Sequence, residues 1–425
     1  MLLTAGLPAV AMAEAASADA VKTLEQKLDQ SMQMIEALTA RVKELEAQQA
    51  KATAAAPAAT PAQPQASEAA RLQAVEQQVN QIETANAARQ SDDTGLPVHG
   101  FADVNIGTHN PFHPDEKGAS VNNFDLYLTP KLGDKWLSLV ELNFEVDGAG
   151  QVGVDMERAQ LGYQFSDAAT AWVGRFHTPY GYVNTAFHHG VWLNDSLRRP
   201  AFLGFEDQGG VMPAHTVGAW LTGALRGEDS KLLYDVFAGN GQQIIDGQID
   251  MRTGGNDHGK LIYGGRVGYQ WTAGPAEGLL VGANAFDSMI DDDQMPQNLT
   301  EVRVAGGYAV YDTDTWEILS EFYWFNDINL YQGVGTHRSN AFFAQVGYRF
   351  PYLVPYARYE RANLDQTDQF FSEQLSGGSY YRSALGFRRD LNQRVAFKIE
   401  VANTHYTDRV VGQFNEFLSQ LAVRF

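Results

Sequence analysis

The sequence predicts an all-β transmembrane barrel of about 16 antiparallel strands, preceded by an α-helical coiled coil. Three observations carry this. From Val98 onward, short segments alternate apolar and polar residues with a period of two. The connections between them alternate short and long. Finally, 40 Gly, 18 Tyr, 23 Phe and 7 Trp accompany the absence of any apolar run of helical membrane-spanning length, as expected when strands hide apolar residues in every second position.

The elements follow in chain order. Residues 2–12 are an apolar stretch ending at Ala11-Met12-Ala13, with Ala16-Ser17-Ala18 as a second small-x-small site. This reads as the hydrophobic region and cleavage site of a secretory signal, assigned to 1–13 and too short to span a bilayer. In 14–49, Val21, Leu24, Leu28, Ser31, Ile35, Leu38, Val42 and Leu45 alternate by three and four, the seam of a left-handed coiled coil with Ser31 as its weak position. Pro57, Pro61 and Pro64 make 50–66 a semi-stiff Ala/Pro-rich linker. Leu72, Val75, Val79 and Ile82 then resume the heptads in 67–90.

Arg41 precedes Val42, with Leu45 and Glu46 after it, and Arg71, Leu72, Val75 and Glu76 repeat the pattern. Arg at g reaches Glu at e of a neighbouring chain while its stem covers the seam. The arrangement resembles a trimeric coiled-coil signature, whereas a β-branched a with Leu at d alone favours a dimer.

The barrel is assigned to 91–425, with representative strands Val98–Ile106, Trp136–Val146, Ala159–Phe165, Leu261–Trp271, Val302–Val310, Trp316–Phe325, Phe342–Phe350 and Val395–Val401. In the second of these, Val140, Leu142, Phe144 and Val146 share one face, with Glu141, Asn143 and Glu145 on the other. Apolar-out and polar-in is the pattern of a barrel with a wet lumen. Short turns fall at 131–134, 166–167, 226–229, 312–314, 351–352 and 390–392. Long loops fall near 107–120, 177–212, 240–258, 288–300, 326–339, 361–378 and 405–414. A chain that enters and leaves on the same side needs an even strand number, and at sixteen the barrel is too wide for wall side chains to fill.

The last strand puts Phe417, Ser419, Leu421, Val423 and Phe425 on one face, and its terminal aromatic resembles the assembly signal of bacterial outer-membrane barrels. Gly174-Arg175-Phe176-His177-Thr178-Pro179-Tyr180-Gly181 looks like the porin pattern of a strand ending in Arg-aromatic before Thr-Pro-aromatic-Gly. With these features, residues 98–425 resemble the trimeric outer-membrane porins of Gram-negative bacteria. The full length resembles those with an N-terminal periplasmic coiled coil, the specific-anion and dicarboxylate-type porins. The resemblance implies a homotrimer set in lipid and lipopolysaccharide, inserted by the barrel-assembly machinery through Phe425, with 177–212 folded inward as the constriction. The implied function is passive diffusion of small hydrophilic, anionic solutes. The alternative is a structural anchor whose coiled coil contacts the cell wall or a periplasmic partner.

Alternation assigns Arg158, Arg175, Arg266, Arg303, Arg349, Arg358, Arg382, Arg388 and Lys398 to the lumen, opposite Asp103, Asp125, Glu141 and Glu145, with Glu317 and Glu321 further along. A net basic lining favours anions. In the long loop, Arg198 and Arg199, followed by Glu206 and Asp207, would present both signs at the constriction, since the guanidinium fork suits carboxylate and phosphate. His177 and His188-His189 read as structural, because adjacent strand histidines face opposite ways. Asp291-Asp292-Asp293 reads as a solvated loop, its spacing unlike an EF-hand.

Cysteine is absent, so there is neither a disulfide nor a thiolate metal site. The net charge of −20 argues against nucleic acid. No nucleophile elbow, phosphate loop or zincin motif is present, and neither an enzyme activity, a cofactor nor a metal is expected. We expect a peptide spanning residues 20–50 to sediment as three chains, and Arg41→Ala to lower its melting temperature or shift it to dimers; a dimeric wild-type peptide would remove the trimer reading.

Overall fold

The computed structural model describes residues 98–108, 117–146, 150–187, 191–205, 208–251, 261–295, 298–331 and 333–425. The signal segment, both heptad blocks with Arg41, Glu46, Arg71 and Glu76, and the linker lie outside these residues, as do His188, His189, Glu206 and Asp207.

Segments rich in β-branched and aromatic residues at alternate positions pair with their sequence neighbours, because such side chains fit a pleated surface. The strands are β1 (Val98–Gly107), β2 (Gly118–Leu128), β3 (Trp136–Val146), β4 (Val152–Ser166), β5 (Ala169–His177), β6 (His215–Arg226), β7 (Ser230–Asn240), β8 (Gln242–Ile245) and β9 (Gln248–Met251). They continue with β10 (Leu261–Trp271), β11 (Leu279–Asp292), β12 (Leu299–Asp312), β13 (Trp316–Asn329), β14 (Gly335–Tyr348), β15 (Val354–Asn363), β16 (Tyr380–Asn392), β17 (Val395–Tyr406) and β18 (Gln413–Arg424). Among the described residues, sixteen of these form a closed antiparallel barrel. β7 pairs directly with β10, and β1 pairs with β18 to complete the circuit. Closure leaves no edge strand, the condition for a sheet to sit in lipid.

The remaining pair, β8 and β9, is a hairpin inside the stretch expected to be the loop 240–258. Its turn is Asp246-Gly247, both with positive φ (51° and 78°), as the tight two-residue turn requires. β8 lies parallel to the end of β11, with Asp291 opposite Gln243 and Asp292 opposite Ile244. The expectation of a solvated Asp291-Asp292 is therefore corrected, since both are buried. The expected loop 326–339 also contracts, because the β13–β14 ladder runs on to Asn329 and Gly335.

Outward and inward faces follow the expected alternation on β3, β10 and β18. Val146, Tyr263, Val267, Phe417 and Leu421 are exposed, whereas Glu141, Asn143, Ile262, Gln420 and Ala422 are buried. On β12 the pattern inverts. Val302, Val304, Tyr308 and Val310 point inward, and Arg303 lies on the outward face with Ala305 and Ala309. Arg303 is thus not a lumen residue. It is 45 % exposed and pairs on the outer surface with Glu301 at 3.1 Å and Asp287 at 3.3 Å. The inversion has a physical cause: the lumen here is not filled by water alone. Phe202, Leu203, Val211 and Met212 from the β5–β6 connection, Ile244 and Ile249 from the hairpin, and Phe370 and Phe371 from the β15–β16 connection form one apolar cluster with the inner faces of β11–β14. Inward valines on β12 gain burial against them.

At the seam, Gly100 and Phe425 exchange both backbone hydrogen bonds, each 3.0 Å. The Phe425 ring stacks on Phe124 at 5.5 Å and lies across Gly100, where any Cβ would overlap it. Phe425 therefore also closes the wall, beyond the recognition role the sequence suggests. We expect Gly100→Val to block closure, read as loss of the heat-modifiable folded band in electrophoresis. Phe425→Ala should lower the unfolding temperature by the equivalent of about 1 kcal/mol for the lost stack and impair insertion more than that; normal surface levels of the variant would remove the assembly role.

Candidate functional site in the barrel lumen

The described residues of the connection between β5 and β6, 178–187, 191–205 and 208–214, lie inside the barrel. Irregular backbone there must have its polar groups satisfied by protein, and the contacts show how. Within the segment, Asn184 donates from Nδ2 to the carbonyls of Thr178 and Ala214, both at 2.9 Å, which ties its two ends together. Asn184 sits on a one-turn helix, α1 (Val183–Ala186), and its carbonyl bonds His177 Nδ1 at 2.7 Å, a structural role as expected. Arg199 donates to the carbonyls of Leu203 (2.6 Å) and Phe187 (3.0 Å) and to Asn184 Oδ1 (2.7 Å), with its guanidinium 4.1 Å from the centre of the Phe205 ring. Arg199 is thus a buried clamp inside the loop rather than a solute contact.

The wall holds the loop along its length. Glu321 Oε1 accepts the N–H groups of Tyr182 and Val183 at 2.7 and 2.6 Å, and its Oε2 takes the Tyr323 hydroxyl at 2.5 Å. Arg266 donates to the Gly181 carbonyl and the Thr185 hydroxyl, both at 2.6 Å. Glu360 accepts from Ala201 N–H at 2.7 Å, and Tyr380 from Phe202 N–H at 3.1 Å. Arg358 donates to the Arg198 carbonyl (2.7 Å), Arg388 to those of Trp192 (2.5 Å) and Asn194 (3.1 Å), and Lys398 to that of Ser196 (3.4 Å). These partners sit on β10, β13, β15, β16 and β17, so the segment leaves β5 and crosses to the far wall. Trp192 reaches the seam itself, packing with Ala396, Ala422 and Phe101, with the guanidinium groups of Arg388 (4.9 Å) and Arg424 (5.2 Å) over its ring.

The assigned arginines also meet carboxylates. Arg358 pairs with Glu360 at 2.8 Å, and Arg382 with Glu400 at 3.3 Å and Glu416 at 2.5 Å. Arg198 of the loop completes this ladder on Glu416 at 3.1 Å. Burial pulls the Arg198 guanidinium down to about 10 while Glu416 opposes the shift, so it stays charged at neutral pH. Elsewhere Arg158 pairs with Glu141, Arg266 with Asp235 (2.7 Å), Arg349 with Glu317 (3.0 Å), and Arg388 with Asp390 (2.9 Å) and Asp195 (3.7 Å). Arg175 follows Gly174, whose φ of +127° interrupts the regular alternation, and pairs with Glu157 at 3.6 Å. A β-bulge opposite Glu141 supplies Glu157. Sequence reasoning found the arginines but missed Glu360, Glu400 and Glu416, although they share inward parity with Arg358, Lys398 and Leu418 and could have been read the same way.

With the geometry in place, likeness to solved structures can be stated. The chain is similar to an anion-selective porin from Comamonas acidovorans (13 % identity, TM-score 0.52, covering 78 % of this chain and 98 % of that one). It is similar to OmpF of Salmonella typhi, solved with daunomycin (13 %, 0.51, covering 79 % and 99 %). It is also similar to the outer-membrane channel DcaP of Acinetobacter baumannii (12 %, 0.50, covering 78 % and 97 %). No protein-family model and no curated protein sequence matches the chain. The shared property is the porin-type sixteen-strand barrel.

Glu321→Ala strips two buried N–H groups and a hydroxyl of their acceptor, at about 1–3 kcal/mol for each group left unsatisfied. We expect the variant barrel to insert but to show larger, noisier conductance steps than wild type in planar bilayers; wild-type steps would show that this anchor does not hold the loop.

Proposed function

We propose that the protein is an outer-membrane diffusion channel for small hydrophilic solutes, with residues 178–214 as its constriction. One observation carries this reading: a long segment after the fifth strand crosses the lumen and is bonded to the opposite wall through side chains. That gives a barrel a narrow passage of fixed lining instead of an open bore. The likeness to proteins named as a porin and as an outer-membrane channel supports it, as do the apolar outer strand faces and the short turns opposite long loops. The heptads with Arg41, Glu46, Arg71 and Glu76 support a homotrimer joined by an N-terminal coiled coil on the periplasmic side.

The anion preference rested on an excess of inward arginine. Of the arginines assigned to the lumen, Arg158, Arg175, Arg266, Arg349, Arg358, Arg382 and Arg388 each pair with a carboxylate, so they add little net positive charge to the lining, which sorts first by size. A reversal potential close to zero under a salt gradient across reconstituted channels is the expected result. A strongly anion-selective potential would restore the basic-lining reading, and its loss in Arg198→Ala would then locate the charge.

One observation favours the second reading, a structural anchor: the apolar cluster that fills the lumen beside β11–β14. Deleting residues 14–90 separates the two. A channel keeps its conductance and loses trimer yield, whereas an anchor loses envelope integrity.

A further inference from the structure

The β15–β16 connection, residues 364–379, folds back over the long-loop end of the barrel, and the way it is fastened is unusual. Its short helix α2 (Gln369–Ser372) carries Phe370 and Phe371 into the lumen cluster, where Phe371 meets Phe325 at 5.1 Å. Leu375 N–H bonds the hairpin at the Gly247 carbonyl (2.8 Å), and Gly209 of the lumen segment fits against Ser376, where a Cβ would overlap the hydroxyl. The connection therefore touches both other inserted segments.

Two of its carboxyl groups lie against carboxyl groups of the wall. Asp368 caps α2, accepting Phe370 N–H at 3.0 Å, and its side chain also bonds that of Asp327 on β13. Asp327 accepts Arg303 N–H at 3.2 Å through Oδ1. Both residues are fully buried, and no N–H or O–H group donates to the Oδ2 of either. Five residues on, Glu373 bonds the Asp292 carboxyl at the end of β11 and accepts from Asn298 Nδ2 at 2.5 Å. Two acceptors in contact need a proton between them, because two buried carboxylates side by side repel.

We propose that Asp327–Asp368 and Asp292–Glu373 are proton-sharing latches that hold residues 364–379 over the barrel mouth and release them as pH rises. Around the first pair stand Asp365, held by His337 of β14 at 2.9 Å, and the neutral Asn329. A protonated His337 strengthens its own bond to Asp365, which favours docking in acid, while its charge opposes proton uptake by Asp368. Around the second stands Asp368, while Arg409 donates to the Gln374 carbonyl at 3.1 Å and steadies the connection independently of pH.

The sign follows from linkage. Burial pushes the Glu373 carboxyl up to about 7, Asp292 adding to the shift and Asn298 opposing it, and burial likewise raises Asp368. The docked form binds the extra protons, so docking is strongest in acid and weakens from the ordinary carboxylate range upward through these raised values.

The test is hydrogen exchange of the amides in 364–379 in the folded, full-length protein, at pH 5 and pH 8. Wild type and the double variant Asp327→Asn with Glu373→Gln are compared at the same pH so that intrinsic rates cancel. The amides donate the hydrogen bond without a proton to lose. Equal exchange at pH 5 and faster exchange of wild type at pH 8, by about tenfold or more, is the expected result. Equal rates at both pH values overturn the proposal, as does a pH 8 difference that EDTA removes, which would assign the bridge to a divalent cation. Should the double variant fail to fold, Asp368→Asn, which keeps the cap, takes its place with the same outcomes. Exchange is read without any conducted solute, so its failure leaves the channel reading untouched, and absence of conductance leaves the latch intact.

Discussion

A peptide segment that crosses a barrel lumen carries backbone donors and acceptors away from bulk water, and the rest of this structure follows from satisfying them. Glu321, Glu360, Arg266, Arg358, Arg388 and Lys398 supply those partners. Their charge is then used twice, toward the loop and toward one another across the strands. That double use explains why the inward arginines sit on carboxylates and bond the loop at the same time. A buried pair contributes little net stability, but removing one partner leaves the other stranded, typically at about 3–5 kcal/mol. Such a network fixes one loop position more firmly than it stabilises the fold.

The lumen is divided by chemistry. Beside β11–β14, the inserted segments present aromatic and aliphatic side chains, and the wall answers with valine, leucine and phenylalanine. Beside β15–β18, the wall presents arginine and glutamate, and the loop answers with carbonyls and Arg198. One segment is therefore gripped by burial and by hydrogen bonding from two adjacent quarters of the wall. Trp192 joins the two regimes at the seam, so closure of the wall and seating of the loop share side chains.

Much of this was legible in the sequence. The sixteen strands, the order of short and long connections and the faces of β3, β10 and β18 follow from period-two alternation, which sheet geometry imposes regardless of context; the inward segment after the fifth strand was implied by resemblance to porins. The β8–β9 hairpin was legible too, since Asp246-Gly247 stands between Ile244-Ile245 and Gln248-Ile249, yet its strands are short enough to pass as loop. Arg303 shows where alternation alone misleads. Polar means inward only when the lumen is wet, and at β12 it is apolar, so the charged side chain lies outside near the long-loop end.

What the sequence determined by itself was therefore local: strand periodicity, turn chemistry, and Gly100 and Phe425 at positions that later meet. Tertiary structure alone decided what fills the barrel, because residues 178–214, 242–251 and 364–379 are irregular or short and their destination is set by partners scattered over the whole wall. Pairing decided the electrostatics in the same way. An arginine read along the chain is a positive charge, whereas Arg382 between Glu400 and Glu416 is nearly neutral to anything passing it, since the field of an ion pair falls off much faster with distance than that of a lone ion.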